Sequence, residues 1–265
     1  MDLSLSPDLR NVFLKACERG DLELARVLLS RGANVNWRVE GELNWSGLHY
    51  AACGDHGDLL DLLLAQSGVL VNNLDSEKST PLIVACSCGS ENIVRKLLQV
   101  DGIDLNCQDQ DGYTTLHYAA RDTNPGCLKL LREAPGLNWN LKDLEFEETP
   151  LLAAASFGYA DSLEIILTVP QPQLDLTVTD NLGYNVAFNA VRCDDGSGDH
   201  QRCVQLLCDD PRVDWNTRDS ATGNTPLHFC LEWGEVEKAK ILLKNPRVDL
   251  NVQNDAGTFP ETIAR

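Results

Sequence analysis

The sequence predicts an all-α protein built as a stack of helix pairs, and three observations carry that prediction. A phrase returns along the chain as Thr80-Pro81-Leu82-Ile83-Val84-Ala85-Cys86, Thr114-Thr115-Leu116-His117-Tyr118-Ala119-Ala120, Thr149-Pro150-Leu151-Leu152-Ala153-Ala154-Ala155 and Thr225-Pro226-Leu227-His228-Phe229-Cys230-Leu231, with a looser copy at Ser46-Gly47-Leu48-His49-Tyr50-Ala51-Ala52. An apolar cluster such as Leu62-Leu63-Leu64, Leu97-Leu98 or Ile241-Leu242-Leu243 follows each copy. An Asp/Asn-rich step, such as Asp104-Leu105-Asn106 or Asp249-Leu250-Asn251, then closes the unit. The period of roughly 34 residues is one that marks stacked helical arrays, whose neighbouring units share a continuous core.

The third unit justifies each element. Thr80 can cap a helix by accepting an N-terminal backbone N–H. Pro81 then takes the first helical position, where its missing N–H costs nothing. Leu82, Ala85 and Cys86 fall at helical spacing and leave a face of small side chains that lets a second helix approach. Gly89 ends this inner helix in the left-handed conformation that other residues resist. Ile93, Val94, Leu97 and Leu98 then make one stripe of an outer helix. The polar turn Asp109-Gln110-Asp111-Gly112 reads as a hairpin tip.

The positions equivalent to Thr80 are Asn11, Ser46, Thr114, Thr149, Asn185, Thr225 and Phe259. They divide the chain into a lead over residues 1–7 and one array over 8–265, with seven repeats and a partial eighth. The first unit keeps Ala16-Cys17, Gly20 and Val27-Leu28-Leu29 without the leading phrase, as an N-terminal cap would. The eighth stops one helix in, so that helix either caps the stack or, the reading preferred, begins a unit cut short in a piece of a longer protein. The sixth unit departs most, with Asn185-Val186-Ala187-Phe188 in place of the phrase and an insertion, Asp194-Asp195-Gly196-Ser197-Gly198, between its helices.

From about Asp8 to Arg265 these phrases resemble the ankyrin repeat: Thr-Pro-Leu-His, Ala-Ala, the turn glycine, the Leu-Leu pair and the Asp-x-Asn step occur together. The resemblance implies a solenoid of antiparallel helix pairs with projecting β-hairpin fingers, and a non-catalytic role in binding proteins, as a scaffold or adaptor. The alternative is a recognition or regulatory segment of a larger enzyme whose catalytic part lies beyond residue 265. The resemblance also implies structural duties for His49, His117 and His228 near the helix start, and for His56 and His200 after the inter-helix turn. Some family members are hydroxylated on the step asparagine, to which Asn106, Asn216 and Asn251 correspond.

Composition narrows the partners. A net charge of −18 opposes nucleic-acid binding, which needs clustered Lys/Arg, and favours a protein or peptide partner with basic character. No apolar stretch approaches the ~20 residues of a membrane span. Ten cysteines without a secretory leader fit a reducing cytoplasmic or nuclear setting, and a monomer is expected. Cys17, Cys86 and Cys230 occupy small-residue packing slots.

No catalytic residue, metal or cofactor is expected. Cys86-x-Cys88 lacks the second pair a zinc site needs. The group Cys193, His200, Cys203 and Cys208 matches no zinc spacing. Gly196-Ser197-Gly198 is too short to cradle phosphate. Asn44-Trp45-Ser46 fits a glycosylation sequon but belongs to a reducing compartment.

Large side chains mark the candidate surface. The residue before the capping position, and the two after the paired small residues, point into the groove on this template. Those slots hold Trp45, Tyr113 and Tyr184, then Phe157 and Trp233, with Arg19, Arg121 and Arg192. Aromatic and Arg side chains dominate interface energetics. Glu145, Glu147 and Glu148 make an acidic finger, while Trp139 and Trp215 sit at apolar step positions and belong to the core.

Overall fold

The computed structural model describes residues 7–39, 41, 43–192 and 199–263. Among the described residues seven helix pairs follow in order: α1 (Pro7–Glu18) with α2 (Leu22–Ser30), α3 (Gly47–Cys53) with α4 (Gly57–Leu64), α5 (Pro81–Ser87) with α6 (Glu91–Leu97), α7 (Thr115–Ala120) with α8 (Gly126–Arg132), α9 (Pro150–Ser156) with α10 (Ala160–Leu167), α11 (Val186–Arg192) with α12 (His200–Asp209), and α13 (Pro226–Glu232) with α14 (Val236–Lys244). A short α15 (Pro260–Ile263) opens an eighth.

The chain divides into two compact units, Met1–Ala119 with Gly126–Leu137, and Ala120–Pro125 with Asn138–Arg265. In the first, inner helices α1, α3 and α5 pack in sequence, as do outer helices α2, α4, α6 and α8. In the second, the inner row is α9, α11, α13, α15 and the outer row α10, α12, α14.

Capping chemistry starts the inner helices. Thr80 and Thr149 accept from the backbone N–H three residues on, Ile83 at 3.3 Å and Leu152 at 3.4 Å. Asn185 performs the same task in the sixth repeat, its Oδ1 accepting from Ala187 and Phe188. The register there is therefore that of the other repeats, and Asp194–Gly198 lies outside the described residues. Leu82, Leu116, Leu151 and Leu227 behind the caps are at most 1% exposed, each burial worth roughly 1.5–3 kcal/mol. Gly89 leaves α5 at φ +68°, and Asp55 carries the corresponding bend after α3 at φ +51°.

The fingers differ from the hairpins expected. Among the described residues there is one antiparallel bridge, Arg38 with Ser46, and no strand. The described fingers are turns closed by backbone bonds, such as Asp75 N–H to Ser79 O, Asp109 to Tyr113 and Asp180 to Tyr184, all 3.0 Å. A carboxylate at the base takes further amides: Asp75 Oδ1 accepts from Glu77 and Ser79, and Asp109 Oδ1 from Asp111 and Tyr113. A side chain therefore does what a ladder partner would do. Adjacent fingers are strapped by single backbone bonds, Ser76 to Leu43 and Gln110 to Glu77 in the first unit, Asn181 to Phe146 and Asp255 to Thr222 in the second.

Step asparagines fasten five of the repeats to the one that follows. Asn36, Asn72 and Asn106 donate from Nδ2 to the carbonyls of Gly68, Gly102 and Gly136 in the first unit. Asn140 and Asn216 reach Gln173 and Arg247 in the second. In the second unit Arg212 donates to the Leu167 and Val169 carbonyls at the end of α10, and Arg247 to those of Cys208 and Val213.

Candidate interaction surface

The paired slots place the predicted side chains on the inner-helix faces, but with unequal freedom. In the first unit Trp45 is half-buried: it donates Nε1–H to Asp75 at 3.0 Å, stacks on His49 and meets Tyr50 edge-on at 5.3 Å. Tyr113 is half-buried between His117 and Tyr118. Arg19 is exposed at the end of α1.

In the second unit four rings form a continuous run. Tyr184 and Phe188 lie 5.2 Å apart, Phe188 and Phe229 5.4 Å, and Phe229 and Trp233 5.6 Å. The run begins at the base of a finger and ends at Trp233, which is 59% exposed. Its inner members are buried or half-buried, so the last ring rests on a packed support while its outer side meets water.

Cations lie against these rings. The Arg192 guanidinium is 5.3 Å from the Tyr184 centroid and 3.6 Å from the Asp180 carboxylate. Arg121 lies 4.5 Å over Phe157. Both arginines are thereby oriented by aromatic faces.

The acids of the fifth finger separate into two environments. Glu145 and Glu147 are exposed, together with Leu144 and Phe146. Glu148, expected beside them as an acid of the finger, is instead buried at 5% exposure, because the slot before the cap points inward whatever occupies it. Burial pushes its carboxyl up to about 7, Asp143 and Asp180 add to the rise, and a Ser156 hydrogen bond and Arg192 oppose it.

The remaining candidates are structural. His49 Nδ1 accepts from the Ser46 N–H and its Nε2 faces the Ser79 carbonyl at 3.1 Å, so the ring ties a helix start to the next finger. His228 repeats this between Thr225 and Thr258. Trp139 and Trp215 are core, at 4% and 1% exposure. Burial pushes the thiols of Cys17, Cys203 and Cys230 up to about 12. Cys193 falls outside the described residues, and those residues contain no group of three metal-ligating side chains. No described helix is long and apolar enough to cross a membrane.

Sequence reasoning missed the pair Cys53 and Cys88, whose sulfurs lie 2.9 Å apart. The signal was available, since both occupy the slots after the paired small residues in successive repeats.

Comparison with known proteins agrees with this geometry. The family model for ankyrin repeats (three copies) matches in overlapping registers at residues 13–109, 48–143, 96–180, 116–219 and 151–254. The chain is 26% identical over 261 residues to ankyrin repeat and KH domain-containing protein mask-1 of Caenorhabditis elegans, covering 89% of this chain and 10% of that protein. It is 30% identical over 220 residues to human transient receptor potential cation channel subfamily A member 1, covering 78% of this chain and 18% of the channel. It is 27% identical over 262 residues to the probable E3 ubiquitin-protein ligase XBOS32 of Oryza sativa subsp. japonica, 88% of this chain and 52% of that protein. The chain thus spans between 10% and 52% of the length of these relatives. Capped inner helices, finger-bridging histidines, asparagine fasteners and a family match running from residue 13 to 254 lead to one conclusion: the chain belongs to the ankyrin-repeat family, whose repeats are generally non-catalytic protein-interaction modules.

Proposed function

We propose that this chain binds a partner protein or peptide through its inner-helix faces and fingers, serving as a scaffold or adaptor and catalysing no reaction. The observation that carries the reading is Trp233, a large aromatic held open to solvent at the end of a packed run of rings. An indole in that position offers contact area with little conformational entropy left to lose. The net charge of −18, with Glu145 and Glu147 exposed, favours a partner with basic residues near its contact segment. The setting proposed is the cytoplasm or nucleus, with the chain acting as a monomer.

The test is affinity capture followed by binding kinetics, with helicity checked by circular dichroism. Trp233→Ala should weaken the partner complex by at least ~1 kcal/mol and leave helicity intact. Neutralising Glu145 and Glu147 should chiefly slow association and flatten its salt dependence. Normal binding by Trp233→Ala would remove the inner face of the second unit from the interface.

A second reading has its own support. Relatives include the probable E3 ligase above and putative palmitoyltransferase ZDHHC13 of Danio rerio, of which the chain spans 30%. Under it the repeats are the recognition or regulatory segment of a larger enzyme. Whether the natural reading frame continues past Arg265, and into what, separates the two.

A further inference from the structure

We propose that Cys53 and Cys88 are a dithiol modification site, closing to a reversible disulfide by exchange with small-molecule disulfides of the glutathione class.

The two thiols are exposed, on the inner face of the first unit. Cys53 is the last residue of α3, and Cys88 caps the C-terminus of the neighbouring α5. Their sulfurs are 2.9 Å apart, so a closing movement of under about 1 Å reaches the disulfide bond length. The contact is built into the repeat. Cys53 stands seven residues after its capping position, Ser46, and Cys88 eight after Thr80. The same diagonal joins Arg121 and Phe157, seven after Thr114 and eight after Thr149. Side chains in these slots of adjacent repeats meet because of the stacking, and here both carry thiols.

The buried cysteines are excluded from this chemistry by access, since Cys17, Cys86, Cys127, Cys203 and Cys230 are all closed to solvent. One of the two sulfurs loses its proton and attacks one sulfur of the small disulfide, expelling a thiolate and forming a mixed disulfide. The other, 2.9 Å away, then loses its proton, attacks the bound cysteine sulfur and expels the second thiolate. Two cysteine thiols and one small disulfide become one internal disulfide and two small thiols, and the released protons end on those thiols. The product ties the ends of α3 and α5 together.

The test equilibrates the full-length chain with glutathione over a series of oxidised-to-reduced ratios, quenches with acid, and maps peptides without reduction by mass spectrometry. The expected product is one cross-linked peptide joining Cys53 to Cys88, two hydrogens lighter than the reduced pair and reversed by excess thiol. Cys53→Ser and Cys88→Ser, each checked for wild-type helicity, should lose that peptide entirely. Cys88→Ser should instead hold a glutathione adduct on Cys53. The proposal is overturned if wild-type protein carries separate adducts on the two residues, if the cross-link joins other cysteines, or if both thiols stay reduced at the most oxidising ratio.

Discussion

A carboxylate shut beneath a finger resists ionisation because its charge has left water, and for Glu148 the nearby Asp143 and Asp180 add to the cost. Its folded pKa of about 7 lies above the ordinary ~4.3 of the unfolded chain, so the folded state holds the extra proton between those values. The stabilisation this group gives is complete below the unfolded value and is lost as pH rises through about 7. Glu148→Gln keeps the shape and removes the charge. It should be more stable than wild type at pH 8.5 by on the order of 1–3 kcal/mol and nearly equal at pH 4, read from thermal melts. His49 works in the opposite direction. Burial lowers its pKa, so its contribution is present above the ordinary ~6.5 and is lost as pH falls through the lower folded value. Trp139, Trp215 and Trp233 show how much of the residue scale was legible. Step-position indoles read correctly as core, and the slot after the small pair correctly gave an exposed one. Glu148 was misread because acid character outweighed slot geometry, although the slot decides which way a side chain points.

Helix starts were the most legible elements, since Thr-Pro states a cap and a first turn in two residues. The cap in the seventh repeat is shared: Thr225 Oγ1 and the Thr225 N–H both face His228 Nδ1, at 2.8 and 3.1 Å. Thr225→Ala should cost about 1 kcal/mol, and Leu227→Ala roughly 2–5 kcal/mol by opening a cavity. Chemical denaturation measures both, and two silent variants would mean that this repeat is misaligned. Fingers were less legible because their order comes from buried carboxylates and not from strand alternation. They also hide a conformational demand two residues before the cap. Gly112 meets it at φ +84°, but Lys78 and Glu147 adopt φ +62° and +53° with side chains attached. Left-handed backbone costs an L-residue roughly 1–2 kcal/mol, so Gly112→Ala should destabilise by about that much. Lys78→Gly should be neutral or stabilising by up to ~1 kcal/mol, the gain being offset by a more flexible unfolded chain.

Across the whole molecule the acidic excess acts on every repeat at once. A charge of −18 repels itself in any compact state, and salt screens that repulsion. Raising ionic strength from ~0.01 to ~0.15 M shortens the screening length from ~30 to ~8 Å. The melting temperature should rise over that range, and a fall would show that attractive ion pairs, such as Arg202 with Asp161 and Glu164, outweigh the repulsion. The division into two compact units was not legible in the sequence, since no break in the phrase announces it. The asparagine fasteners bear on how such a chain can change its length. Asn36, Asn72, Asn106, Asn140 and Asn216 each sit at the same place in a repeat and grip a backbone carbonyl of the one that follows. A carbonyl is supplied by every residue type, so the receiving side needs no particular sequence. Duplication or loss of one of these five repeats therefore carries its own fastening with it, and side chains on the inner face can diverge while the joints stay compatible.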